Sequence, residues 1–134
     1  MNYYLDTDIC IFALKGQFPA IKKWLQNLLP DQIKIPTIVQ SELLLGALKS
    51  RDSKQTVHLV ERFLAPYEVI SFDEQAATAY AKIRYHLEKK GVSIGPNDLI
   101  IAATVAANQG TLITHNIREF ARVPGILTED WTVE

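Results

Sequence analysis

Residues 95–116 read GPNDLIIAATVAANQGTLITHN, and the order of elements in this stretch decides the fold. Pro96 suits a first helical position, where a missing N–H costs nothing, and Gly110 marks the end of the apolar run that follows. Thr111 to Thr114 then reads as a short apolar strand. A helix that feeds directly into a strand with no polar alternation belongs to a sheet covered on both faces. Asp98 stands in the first turn of that helix, ahead of Leu99. An acid there faces unpaired N–H groups and the positive end of the helix dipole, so a helix-start role is open to it. Asn97 could cap the helix instead, which weakens the need for Asp98.

The same alternation runs through the rest of the chain. Asn2 to Leu5 reads as a buried strand ending at Asp6. Residues 8–15 form a short helix stopped by Gly16, and residues 19–29 a second with Ile21, Trp24, Leu25 and Leu28 at helical spacing. Ile33 to Ile35 is a strand closed by Pro36. Thr37-Ile-Val-Gln40 matches a capping box for a helix reaching about Ser50. Ser53 opens another, carrying Val57, Val60, Phe63 and Leu64 toward Pro66. Tyr67 to Ser71 alternates like a strand. Asp73 caps a long helix with Ala76, Tyr80, Ile83 and Leu87 on one face, Lys89 and Lys90 in its last turn, and Gly91 after it. Ile117 to Arg122 is one helical turn, and Val123-Pro-Gly125 turns the chain into a last strand near Ile126 and Leu127. Short apolar strands alternating with amphipathic helices predict a parallel sheet covered on both faces.

At 134 residues the chain is expected to form a single domain, residues 1–134, with 48% hydrophobic and 22% charged residues. Cys10 is the one cysteine, which excludes an internal disulfide and fits a reducing compartment; it reads as a small core residue. The start, MNYYLDTD, lacks the basic and apolar regions of a signal peptide. The run from Leu99 to Ile117 is too polar to cross a membrane. A cytoplasmic location follows as the expectation. The net charge of −1 argues against a basic nucleic-acid coat, yet leaves room for a nuclease whose metal ions bring the positive charge.

In parallel sheets, ligands gather at the carboxyl ends of the strands. Asp6 closes the first strand, Thr114 closes the fourth with Asn116 two residues on, and Asp98 opens the helix that feeds the fourth. Two acids and a threonine at 6–8 exceed what a cap requires, so Asp6 is assigned a functional role and Asp8 a capping or supporting one. Glu42 is the most telling: Gln40 already completes the capping box, and a carboxylate in the apolar run SELLLGA is costly unless paired or bound to metal. Asn116-Ile-Arg-Glu119 also scans as a capping box. His58 and His86 read as surface helix residues, and His115 is placed near the site only by its neighbours. Arg118 is either exposed or a phosphate contact.

If Asp6, Glu42, Asp98 and Glu119 converge, they cannot all stay ionised without cations. Oxygen ligands with no Cys or His among them suit Mg²⁺, or Mn²⁺. The matching chemistry is hydrolysis of a phosphodiester by an activated water.

Four stretches, LDTDICIF at 5–12, SELLLGA at 41–47, GPNDLIIAATVA at 95–106 and THNIREFARVPGILTEDW at 114–131, together resemble the PIN-domain ribonucleases, above all the VapC toxins of bacterial toxin–antitoxin pairs. The resemblance spans nearly the whole chain in order. It implies a three-layer α/β/α sandwich with a central parallel sheet and a Mg²⁺-dependent endoribonuclease. Its acidic site maps onto Asp6, Glu42, Asp98 and, at the fourth place, Glu119 or Asn116. Many relatives carry Asn where this chain has Asp8, so a metal contact from Asp8 stays open. The resemblance also implies an RNA substrate such as tRNA, a cognate antitoxin, a homodimer, and operator DNA bound only through the antitoxin.

Two rivals share part of the pattern. A haloacid dehalogenase-type phosphatase also begins with a strand and Asp-x-Asp, here Asp6-Thr7-Asp8, but Cys10 stands where that type expects Thr or Val, two residues after the second Asp, and its later lysine and paired aspartates have no clear counterpart. A response-regulator receiver could use Asp73 after the third strand, but no lysine follows the later strands. A PIN fold kept only for binding is disfavoured by the intact acidic set.

Overall fold

A computed structural model describes residues 1–134. Five strands, β1 (Tyr3–Leu5), β2 (Ile33–Pro36), β3 (Glu68–Ile70), β4 (Thr111–Ile113) and β5 (Leu127–Glu129), form one sheet in the order β3-β2-β1-β4-β5. Every pairing is parallel; Tyr3 lies opposite Ile33 on one side and Thr111 on the other. The central strands are buried on both faces: Tyr4, Leu5, Ile33, Ile35, Leu112 and Ile113 are all within the core. This is why β1 and β4 read as continuous runs without a charged residue, whereas β2 is interrupted by Lys34, which pairs with Glu68 of β3.

Seven helices connect the strands: α1 (Thr7–Leu14), α2 (Pro19–Asn27), α3 (Thr37–Leu48), α4 (Ser53–Leu64), α5 (Glu74–Lys89), α6 (Pro96–Ala107) and α7 (Ile117–Phe120). α1 packs on α2, α3 and α4, while α5 packs along α6. The chain steps from β1 to β2 to β3 in one direction, then crosses back to β4 and β5. Right-handed crossovers therefore place α1–α4 on one face and α5–α7 on the other. The expected α/β/α sandwich is the fold observed. No helix is long and apolar enough to cross a membrane. Cys10, on the inward face of α1, is fully buried, as its apolar character predicts.

Three local expectations change. The capping box at Thr37 does not form: Pro36 is the N-cap of α3, and the Thr37 hydroxyl donates instead to the Ile70 carbonyl of β3 at 2.9 Å. At the end of α6 the left-handed residue is Gln109 (φ 55°), not Gly110. Gln109 N–H bonds Ala106 O and Gly110 N–H bonds Val105 O, both at 3.2 Å, the paired closure of a helix end. Gly110 is required for another reason: a Cβ there would run into the buried ring of Tyr4. The segment after α2 shortens to Asn27, and Pro30–Gln32 forms a single 3₁₀ turn.

Candidate active site

The strand order reverses at β1, which has β2 and β3 on one side and β4 and β5 on the other. A parallel sheet opens a crevice at the carboxyl ends of the strands where its order reverses. Asp6 stands at that seam, with its N–H held by Ile113 O of β4 at 3.1 Å. It is 5% exposed. Its Oδ1 accepts the Ile9 N–H at 2.9 Å, so Asp6 is itself the N-cap of α1. Burial pushes its carboxyl from the usual 3.8 up to about 6, against the Thr114 hydroxyl and the Ile9 N–H, which favour the charged form; the charges of Asp8 and Asp130 add to the rise. Thr114 is fully buried at the end of β4, and its Oγ1 also receives the Asn116 N–H at 2.9 Å.

Glu42 lies in the second turn of α3, half-buried. Its Oε1 accepts the Thr7 hydroxyl of α1 at 2.6 Å and its Oε2 the Asn97 amide of α6 at 3.1 Å. One carboxylate thus joins three helices that are far apart in the chain. Asn97 does not cap α6; Gly95 occupies that position and Pro96 follows it. Asp98, half-buried in the first turn, is pushed up to about 7. Burial is the largest cause, followed by the neighbouring Glu119 carboxylate, which favours the protonated form through hydrogen bonding and charge, then the charges of Asp6 and Glu42. The other three acids named from sequence are therefore all felt at this one residue.

Glu119 belongs to α7. Its Oε2 accepts the Asn116 amide at 2.7 Å and its Oε1 the backbone N–H of Gly95 at 3.1 Å. The reciprocal box expected at Asn116 does not form, because the Asn116 side chain bonds the Glu119 carboxylate and no backbone N–H of the helix. Glu119 instead ties α7 to the entrance of α6. Asp8 is exposed and makes no cap; it acts on Asp6 through its charge.

Sequence reasoning treated Thr7 and Asn97 as helix-start residues and missed their part in holding Glu42. It also missed Asp130. Its Oδ2 lies 3.1 Å from Nδ1 of His115, and its Oδ1 accepts the Thr132 hydroxyl at 2.6 Å. Burial raises the Asp130 carboxyl, but the bonds from Thr132 and His115 outweigh it and hold the group below its usual range. Its position just past the carboxyl end of β5 was the available signal. His115 packs against the rings of Phe12 and Phe18, at 6.1 and 6.0 Å between centroids. His58 is exposed on α4 and His86 half-buried on α5.

The ion pairs of the protein are Lys23–Glu134, Lys34–Glu68, Arg84–Glu88 and His115–Asp130. None neutralises Asp6, Glu42, Asp98 or Glu119. Their side chains do not close into a ready-made cage of three ligands around one point. Mg²⁺ does not need such a cage: it is bound through one or two carboxylates, retained waters and phosphate oxygens of the substrate. The oxygen-only donor set and the uncompensated charge fit such an ion.

Residues 3–126 match the family model of the PIN domain. The chain belongs to the PIN domain family. Within that family it is 38% identical over 132 residues to Ribonuclease VapC2 of Rickettsia felis, with 98% of each chain covered. It is 37% identical over 131 residues to the tRNA(fMet)-specific endonuclease VapC of Salmonella typhimurium, again with 98% of each covered. Its fold superposes with a TM-score of 0.92 on a chain of VapBC2 from Rickettsia felis bound to a DNA fragment from its promoter, at 37% identity over 98% of this chain and 99% of that one. These likenesses place this PIN domain among the VapC ribonucleases. They do not favour the phosphatase or the receiver reading; Asp8 is exposed, and Asp73 caps α5, its Oδ1 3.0 Å from the Ala76 nitrogen.

Proposed function

We propose that this PIN-domain nuclease is a divalent-metal-dependent endoribonuclease, the toxin of a type II toxin–antitoxin pair, with Asp6, Glu42, Asp98 and Glu119 as its metal-holding residues. The observation that carries the reading is Asp98, whose carboxyl is raised by burial and by the other three acids in a crevice with no neutralising cation. Mg²⁺, or Mn²⁺ in its place, supplies a nucleophilic water at neutral pH and offsets charge at the phosphorus.

The chain's own residues divide the remaining work. Thr7 and Asn97 fix both oxygens of Glu42. Asn116 and the Gly95 N–H fix both oxygens of Glu119. The Asp98 carboxyl is raised to about 7 in the metal-free protein, so a cation held there displaces a proton near neutrality. Asp6 anchors the cluster to the sheet through the start of α1. Asn116 and Thr114 support the site from the end of β4, and Asp8 contributes charge.

The relative named for tRNA(fMet) supports a structured RNA such as tRNA as substrate. The related structures are VapBC complexes, some on DNA, which supports a cognate antitoxin and operator contact through that partner. A homodimer in the cytoplasm completes the reading.

The test is cleavage of total cellular RNA by the purified, antitoxin-free chain in Mg²⁺, with EDTA and Asp98→Asn as controls. Discrete fragments that vanish in both controls are expected. Cleavage that persists in EDTA or in the variant overturns the metal site. Uniform degradation of all RNA contradicts a structured target, and a folded chain that cuts nothing supports binding alone.

A further inference from the structure

Adjoining the acidic cluster, and sharing Glu119 with it, lies a pocket of about 430 Å³ walled also by Ser93, Gly95, Asn116, Arg118 and Arg122. It holds two guanidinium groups next to a carboxylate, yet they do not pair with it. The Glu119 oxygens accept from the Asn116 amide and the Gly95 N–H, and neither arginine forms an ion pair with them. Arg118 has no hydrogen-bond or ion-pair partner in the chain. Arg122 reaches only the Ser93 carbonyl, through Nη1 at a long 3.4 Å. Two cations are thus left uncommitted on the rim of a site whose other charges are negative, in a chain of net charge −1. A planar guanidinium matches a phosphate by two parallel N–H···O bonds.

We infer that Arg118 and Arg122 form a subsite for a backbone phosphate of the RNA, adjacent to the phosphate that is cut. The inference rests on the endoribonuclease reading and extends it. The carboxylates and their metal take the scissile phosphate; the arginines take a neighbouring one and set the register of the strand. Phosphate contacts of this kind position a nucleic acid without reading its bases. They also offset the repulsion that the acidic crevice presents to an approaching polyanion.

The test uses the full chain with the metal site disabled by Asp98→Asn, in Mg²⁺, and a short fluorescent single-stranded RNA. Affinity is measured across a salt series, alone and with both arginines changed to Gln or to Lys. The paired Arg118→Gln, Arg122→Gln change is expected to weaken binding about tenfold, the scale of one charge-assisted bond. The slope of log K against log salt should shrink by about 0.7 for each phosphate that is no longer neutralised. The lysine pair should restore the slope. The melting temperature should hold, since Arg118 has no internal partner and Arg122 loses only its long bond to the Ser93 carbonyl. In the Asp98-intact protein the glutamine pair should raise KM on tRNA and leave kcat within about twofold. Unchanged affinity and slope overturn the inference, as does a fall in kcat with KM unchanged, which would assign the arginines to the geometry of Glu119. Wild-type protein that cuts no RNA sinks the nuclease reading alone, and the binding series still decides the subsite.

Discussion

Asp6 makes a sharp prediction because it has two duties that pull against each other. It caps α1, and it is a buried carboxylate with no cation beside it. The unfolded chain ionises this group near its usual 3.8, and the folded chain near 6. Between those values the folded state holds more protons, so stability falls as the pH rises from about 4 to 6 and the penalty is then constant. At about 1.4 kcal/mol per pH unit, the penalty is roughly 3 kcal/mol. Asn caps a helix as well as Asp and carries no charge. It does forfeit the bond from the Thr114 hydroxyl, at about 1 kcal/mol. Asp6→Asn is therefore expected to stabilise the metal-free protein by about 2 kcal/mol at pH 8, or roughly 6–10 °C in Tm, and to be neutral or slightly destabilising at pH 4. Urea unfolding in EDTA at the two pH values measures this. Adding Mg²⁺ at pH 8 should raise the stability of wild type and leave the variant unmoved. A variant that is destabilised equally at both pH values would refute the reasoning, because Asp6 would then be a cap and nothing more.

Thr7→Val and Asn97→Ala each free one oxygen of Glu42, and each should lower activity about 10- to 100-fold with little change in Tm, the usual effect of removing a group that orients a metal-binding carboxylate; steady-state cleavage at saturating and limiting Mg²⁺ reads it. Activity should rise with pH through about 7, where Asp98 loses its proton, and added Mg²⁺ should shift that rise to lower pH because cation and proton compete. A pH–rate profile flat from 6 to 8 would contradict this. Gly110→Ala should cost about 1–3 kcal/mol by overpacking Tyr4, visible in urea melts, while Gly46→Ala, with open space around it, should not be destabilising.

The parts of the fold that were legible in the sequence are those set by local pattern. A strand buried on both faces must be apolar throughout, and turn residues or acids stop it; hence Tyr3–Leu5 and Thr111–Ile113 could be read directly. The acids stood out because strand ends and a helix start are where a parallel sheet presents ligands. What escaped was the choice between a near and a distant hydrogen-bond partner. Thr37 has the sequence of a cap but finds the Ile70 carbonyl 33 residues away. Asn97 has the sequence of a cap but reaches Glu42, 55 residues back. Both choices depend on how α3, α6 and β3 come together, and no window of neighbouring residues holds that information. Asp130 was missed because its partner His115 lies on the neighbouring chain segment after β4.

The sheet order has a consequence for how the protein is made. β1 is synthesised first, yet its partner on one side, β4, emerges more than a hundred residues later, and β5 closes the edge only at Leu127–Glu129. Glu119, and the Thr114 hydroxyl on Asp6, arrive with that final segment. A nascent chain therefore carries Asp6 and Glu42 long before the residues that complete the proposed centre have been made. Long-range parallel pairing is slow to form, so a centre that needs β1 joined to β4 forms late in folding. On the toxin reading, the topology delays activity until the segment beyond β4 has been made, and leaves an interval in which an inhibitor already present can meet the chain as it folds.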